Sequence, residues 1–131
     1  MPSRHERARH RLLQRAGRAL AAARRAADAD DAETAANRAY YAMFDAASAL
    51  LASEHLTVRR HSAVHAAFGE RFVKSGRVDA SLHRHLLTAF DLRQLADHDP
   101  MVSIVLADAR HAIEDAEEFV VAVRELLKPA S

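Results

Sequence analysis

At 131 residues, half of them apolar, the chain is long enough to bury one continuous core and too short for a second domain to be expected, so a single domain over residues 1–131 is predicted. The absence of cysteine excludes a disulfide scaffold and any Cys-ligated zinc or iron site and fits a reducing compartment, while three Gly and three Pro leave too little turn chemistry for a many-stranded sheet. Net charge is only +1, but residues 1–27 hold eight Arg against one Glu, for +7, and residues 28–131 hold eleven basic against seventeen acidic residues, for −6.

With five Phe, two Tyr, no Trp and thirty Ala, the core is expected to be Leu, Val and close-packed Ala on helices. No segment has signal-peptide character and no apolar run reaches membrane-span length, so a cytoplasmic location without membrane association is expected. In the first predicted helix, about residues 4–27, Leu12, Ala16, Ala19, Leu20, Ala23 and Ala27 recur at helical spacing, and Arg7, Arg11, Arg15 and Arg18 fall on another face. Those four arginines are candidate RNA-binding residues. The alternative is a solvated face, or a helix docked on the acidic body of its own or a partner chain.

The run Asp28-Ala-Asp-Asp-Ala-Glu33 supplies N-cap carboxylates for a second helix reaching about Glu54, with Ala36, Tyr40, Met43, Phe44, Ala47, Leu50 and Leu51 as its apolar stripe. This helix is expected at the centre of the bundle. A shorter third helix is marked by His61, Val64, His65, Phe68 and Phe72 and closed at Lys74-Ser75-Gly76. Asp79 or Ser81 caps a fourth that runs to Asp99-Pro100. Ser103 is expected to open a fifth, with Val105, Ala109, Ala112, Ala116, Val120, Val123 and Leu127 inward. Short links between such elements predict an all-α, up-and-down bundle of about five helices.

One residue contradicts this pattern. Leu82, Leu86, Ala89, Phe90 and Ala96 share a face of the fourth helix, and Arg93 projects near the middle of it. A guanidinium there needs a carboxylate or an anion. Asp97, four residues on, is the nearest local carboxylate, and His98 follows at the helix end. Either Arg93 and Asp97 form a structural pair, or Arg93 holds a phosphate and His98 moves a proton near neutral pH. His61 and His65, at i and i+4, have the spacing of two metal ligands, but no third ligand is evident nearby and the Glu of a His-Glu-x-x-His site is missing, so neither a metal nor another cofactor is expected. No phosphate-binding loop, dinucleotide fingerprint or nucleophile elbow is present.

Over residues 32–127 the chain resembles the small standalone branch of the HEPN superfamily, the higher eukaryotes and prokaryotes nucleotide-binding domains. The resemblance rests on Asn37-Arg-Ala-Tyr-Tyr-Ala-Met-Phe44, His61-Ser-Ala-Val64, Phe68-Gly-Glu-Arg-Phe-Val-Lys-Ser-Gly76, Leu92-Arg-Gln-Leu-Ala-Asp-His-Asp-Pro100 and Ala112 to Val120, in that order. It implies a helical bundle, a homodimer, and often a minimal nucleotidyltransferase encoded alongside as antitoxin. Many such proteins are metal-independent RNases of toxin–antitoxin or defence systems, with an Arg, four to six residues and a His, and the two motifs of a dimer meet in one cleft.

Arg93 and His98 fit that spacing, with Asp97, Asn37 and Tyr40 as supporting residues. Spacing alone is weak, because Arg4 to His10, Arg59 or Arg60 to His65, and Arg77 to His83 fit as well; the position of Arg93 on an apolar face singles it out. In this branch Tyr is usual where His98 stands, so His98 either restores the RNase motif or replaces Tyr without effect. The competing expectation is a non-catalytic helical module that binds a nucleotide or the nucleotidyltransferase partner.

Overall fold

The structure, a computed structural model, describes residues 1–129. The last two residues of the domain expected over 1–131 lie outside the described residues. These contain five α-helices and no strand: α1 (Arg4–Asp28), α2 (Ala32–Ser53), α3 (His61–Phe68), α4 (Ala80–His98) and α5 (Leu106–Leu126), with a π-helical turn, Gly69–Val73, continuing α3.

The helix ends follow local chemistry. Ser3 caps α1 by accepting from the Glu6 N–H at 3.1 Å. Asp30, at φ 59°, turns the chain out of α1, and Asp31 then caps α2 by accepting from the Thr34 N–H at 3.2 Å. Of the acidic run that precedes α2, Asp31 is thus the cap. Gly76, at φ +80°, makes the predicted stop after the π-helical turn, and Asp79 caps α4 through the Ser81 N–H at 2.8 Å.

The third and fifth helices differ from expectation. The stretch predicted to continue as α-helix through Phe72 widens into the π-helical turn at Gly69. Helix α5 begins at Leu106 rather than Ser103, and Val105, expected to face inward, is 61% exposed. The cause lies at Asp99, held extended before Pro100, whose side chain accepts from the Met101 N–H at 2.9 Å and whose carbonyl accepts from the Val102 N–H at 3.1 Å. That turn uses up residues the sequence pattern assigned to the helix.

Helix α2 is central and packs against all four others, most extensively along α1 and then α5. It is buried on almost every side, as an apolar helix at the core of a bundle must be. Its alanines allow close approach, while Tyr40, Met43, Leu50 and Leu51 join Val64, Phe68, Phe72, Leu86, Phe119 and Val123 as the largest buried side chains. Burying one Leu, Met or Phe fully contributes about 1.5–3 kcal/mol. Asp45 and His65 are the buried polar exceptions among the described residues, and both lie beside the site below.

Candidate functional site

Three helices meet where α4 crosses the first half of α2. From α4, the Arg93 side chain enters at 20% exposure, its guanidinium 5.6 Å from the centre of the Tyr40 ring and 5.2 Å from that of Tyr41. Asp97, one turn on, stands 3.5 Å from Arg93 Nη2. That single carboxylate does not satisfy the arginine: Nε is buried and has no hydrogen-bond partner. A buried unpaired donor costs about 1–3 kcal/mol, more on a charged group, so the site is short of an acceptor. A phosphate oxygen is one that would suit it.

Below the guanidinium lies a polar network inside the core. The hydroxyl of the fully buried Tyr40 is 2.8 Å from His61 Nδ1 and 2.8 Å from His65 Nε2. The spacing that would suit two metal ligands instead brings two imidazoles to one phenol. His83 Nε2 lies 3.0 Å from the His65 carbonyl, and its ring fits against Gly69, where a Cβ would stand 3.0 Å from His83 Cε1. Burial, with Tyr41 adding to it and Arg93 opposing, raises the Tyr40 hydroxyl well above the ordinary tyrosine range, so it stays protonated. Burial, then the Arg93 charge, lowers His61. Burial, then His61 and His83, lowers His65 to about 4, with Asp91 opposing.

His98 is the last residue of α4 and is exposed. Five residues of helix carry it about 140° round the axis from Arg93, so the two residues leave α4 in different directions. Asn37 is half-buried and accepts from the Arg38 Nε at 3.0 Å. The Arg38 guanidinium in turn lies 5.0 Å from the centre of the Tyr41 ring. Tyr41 therefore carries two cations, Arg38 and Arg93, a cation–π arrangement that sequence spacing along α2 alone cannot show.

Arg7, Arg11, Arg15 and Arg18 are all exposed. Arg15 and Arg18 join Arg25, Arg38, Tyr41 and Asp45 in one polar cleft of about 420 Å³ between α1 and α2. Arg7 donates instead to the Pro2 carbonyl, and Arg11 does not line this cleft. Asp45 holds Arg15 at 3.7 Å; burial raises its carboxyl above the usual range, with Arg15, Arg38 and Arg18 opposing. Through Tyr41 the cleft adjoins Arg93, so a band of guanidinium groups leads from α1 to the end of α4. Towards α5, His85 of α4 reaches Asp115 and Glu118 at 3.5 and 3.2 Å, a cross-helix grouping with no sequence signature. No described helix is long and apolar enough to cross a membrane.

The chain is similar to a protein of Methanocaldococcus jannaschii named as a putative toxin, 28% identical over 119 residues that cover 91% of this chain and 81% of the relative. It is similar to a Thermotoga maritima protein of the UPF0332 group, 36% identical over 95 residues and 72% of each chain. A UPF0332 protein of Gloeobacter violaceus is 38% identical over 87 residues, 66% of this chain and 69% of the relative. The family model described as the HEPN domain matches residues 10–126, most of the chain and all five helices in part or whole. With a five-helix bundle and that match across it, the chain belongs to the HEPN domain family.

Proposed function

We propose that this protein is the toxin of a toxin–antitoxin or defence pair, a single-domain, metal-independent endoribonuclease that uses Arg93 and His98 at a cleft between two copies of the chain. The observation that carries this reading is the unpaired, buried Nε of Arg93, a charged donor without an acceptor five residues before an exposed histidine. Arg93 binds the scissile phosphate and stabilises charge on its oxygens, and Asp97 steers the guanidinium. His98 moves a proton at the 2′-hydroxyl or at the leaving oxygen. The 140° offset between the two residues supports a site completed by a second copy. Arg15, Arg18, Arg25 and Arg38, with Tyr41 among them, guide the RNA backbone towards Arg93. The antitoxin is a minimal nucleotidyltransferase, as the family resemblance implies, and the naming of the archaeal relative as a putative toxin supports that setting.

The test is cleavage of several RNAs by purified protein in the presence of a metal chelator. Wild type cuts, whereas Arg93→Ala and His98→Ala stay folded and lose cleavage by about 10²-fold or more. One observation favours the second reading, a non-catalytic module that binds a nucleotide or its partner: His98 is exposed and has no hydrogen-bond or ion-pair partner among the described residues to hold its ring. A His98→Tyr protein that retains every activity would decide for that module.

A further inference from the structure

Proton transfer at an RNA phosphodiester needs two groups, one to accept the 2′-hydroxyl proton and one to protonate the 5′-oxygen as it leaves. The Arg93–His98 pair supplies one imidazole per chain. A second imidazole borders the same tyrosines as Arg93. The His61 ring centre lies 5.5 Å from that of Tyr40 and 5.8 Å from that of Tyr41, against 5.6 and 5.2 Å for the Arg93 guanidinium. His61 stands at the first position of α3, stacked on Phe44 at 4.7 Å and half-exposed, whereas His65 one turn later is 7% exposed. Its Nδ1 is tied to Tyr40, and its Nε2 has no protein partner among the described residues.

We infer that His61 is the proton acceptor of this site, working through Nε2, while Tyr40 and His65 act as positioning residues that hold its ring and its tautomer. The inference rests on the ribonuclease reading above and assigns His98 to the opposite role. A phenol has one proton to donate, so one imidazole accepts from Tyr40 and the other donates to it; in the inferred arrangement Tyr40 donates to His65 Nε2 and accepts from His61 Nδ1–H. That tautomer leaves the His61 Nε2 lone pair free. The 2′-oxygen attacks phosphorus as its proton passes to Nε2, the P–O5′ bond breaks, and protonated His98 gives its proton to the departing oxygen. The products are a 2′,3′-cyclic phosphate and a 5′-hydroxyl, with no water, metal or redox partner consumed. The imidazolium then formed on His61 keeps its Nδ1–H bond to Tyr40. The groups facing it are Tyr40 and Tyr41 from α2, His65 from α3 and Arg93 from α4, with no carboxylate among them.

The experiment is single-turnover cleavage of an RNA that wild type cuts, with RNA affinity and melting temperature measured in parallel. His61→Asn, which offers an amide in place of Nδ1 but has no base, is expected to lower the rate by about 10²–10⁴-fold at unchanged affinity. His61→Gln serves if the first variant unfolds, and imidazole in the buffer is expected to restore part of the rate to His61→Ala. Tyr40→Phe is expected to lower kcat without raising KM and to move the acid limb of the pH–rate profile to lower pH, because the imidazolium loses its acceptor. Cleavage by His61→Asn at the wild-type rate overturns the role of His61 and leaves Arg93 and His98 standing, whereas 5′-phosphate products overturn the roles given to both histidines. A Tyr40→Phe profile that coincides with wild type removes Tyr40 from the positioning role. Wild-type protein that cuts no RNA overturns both readings together.

Discussion

The Tyr40 hydroxyl gathers two histidines that lie 21 and 25 positions further along the chain, and the more buried member, His65, stays neutral when its surroundings are at pH 7. This has a thermodynamic consequence. Its folded pKa, about 4, lies below the unfolded value of about 6.5. Between those values the unfolded chain binds the proton and the folded chain does not, so stability is full above about pH 6.5 and falls as pH drops towards 4. The loss is of the order of 3 kcal/mol for a group so well buried, and His61, shifted the same way, adds to it. Urea unfolding at pH 7.5 and pH 4.5 checks this: wild type loses more stability than His65→Gln, and equal losses in the two proteins would refute it. Arg93 was legible as a misfit because 100° per residue fixes which face it occupies, and Asp97 was legible as its partner because i and i+4 are neighbours. The phenol, the two imidazoles and the second cation on Tyr41 were not, since only tertiary packing brings α2, α3 and α4 together.

Helix boundaries test a different kind of claim, that capping chemistry sets where elements begin. The Asp31 and Asp79 carboxyls are held below the usual carboxylate range mainly by their hydrogen bonds to Thr34 and Ser81. Their contribution is present above the ordinary carboxylate pKa and is lost as pH falls through the lowered one. Asp79→Ala is predicted to lower the melting temperature at pH 7 by a few degrees, whereas Asp79→Asn, which still caps, stays close to wild type. Equal melting temperatures for all three would argue that tertiary packing alone sets the start of α4. Gly69→Ala is predicted to destabilise as well, because its Cβ would press on the His83 ring and pull it from the His65 carbonyl. Helices α1, α2 and α4 were readable to within about a residue from their periodicity and caps. The π-helical turn was not, because widening a helix by one residue per turn leaves the residue types unchanged. The late start of α5 was hidden in the Asp99 turn, a side-chain-to-backbone competition that a search for apolar periodicity overlooks.

The charge division between the basic first helix and the acidic remainder spans the whole molecule. Part of it is spent internally: Arg24 meets Glu117 at 3.4 Å and Arg15 meets Asp45 at 3.7 Å. An exposed pair such as Arg24–Glu117 contributes about 0–1 kcal/mol, and two pairs leave most of the arginines of α1 without an acidic partner among the described residues. If the cleft between α1 and α2 carries RNA, Arg18→Ala and Arg38→Ala are each predicted to weaken RNA binding and to reduce the slope of log affinity against log salt by about 1, read by fluorescence anisotropy. An unchanged slope would return those arginines to a solvated face. The fold class and the family were legible in order and spacing, and the bundle matches both. The proposed pairing of two copies is written in no single chain's pattern, since Arg93 and His98 diverge around α4. The most direct measurement is metal-free cleavage of RNA by the purified protein beside Arg93→Ala and His98→Ala. The prediction is that wild type cuts and both variants, folded as judged by circular dichroism and melting, do not; wild type inert towards every RNA, or cleavage that survives both substitutions, would contradict it.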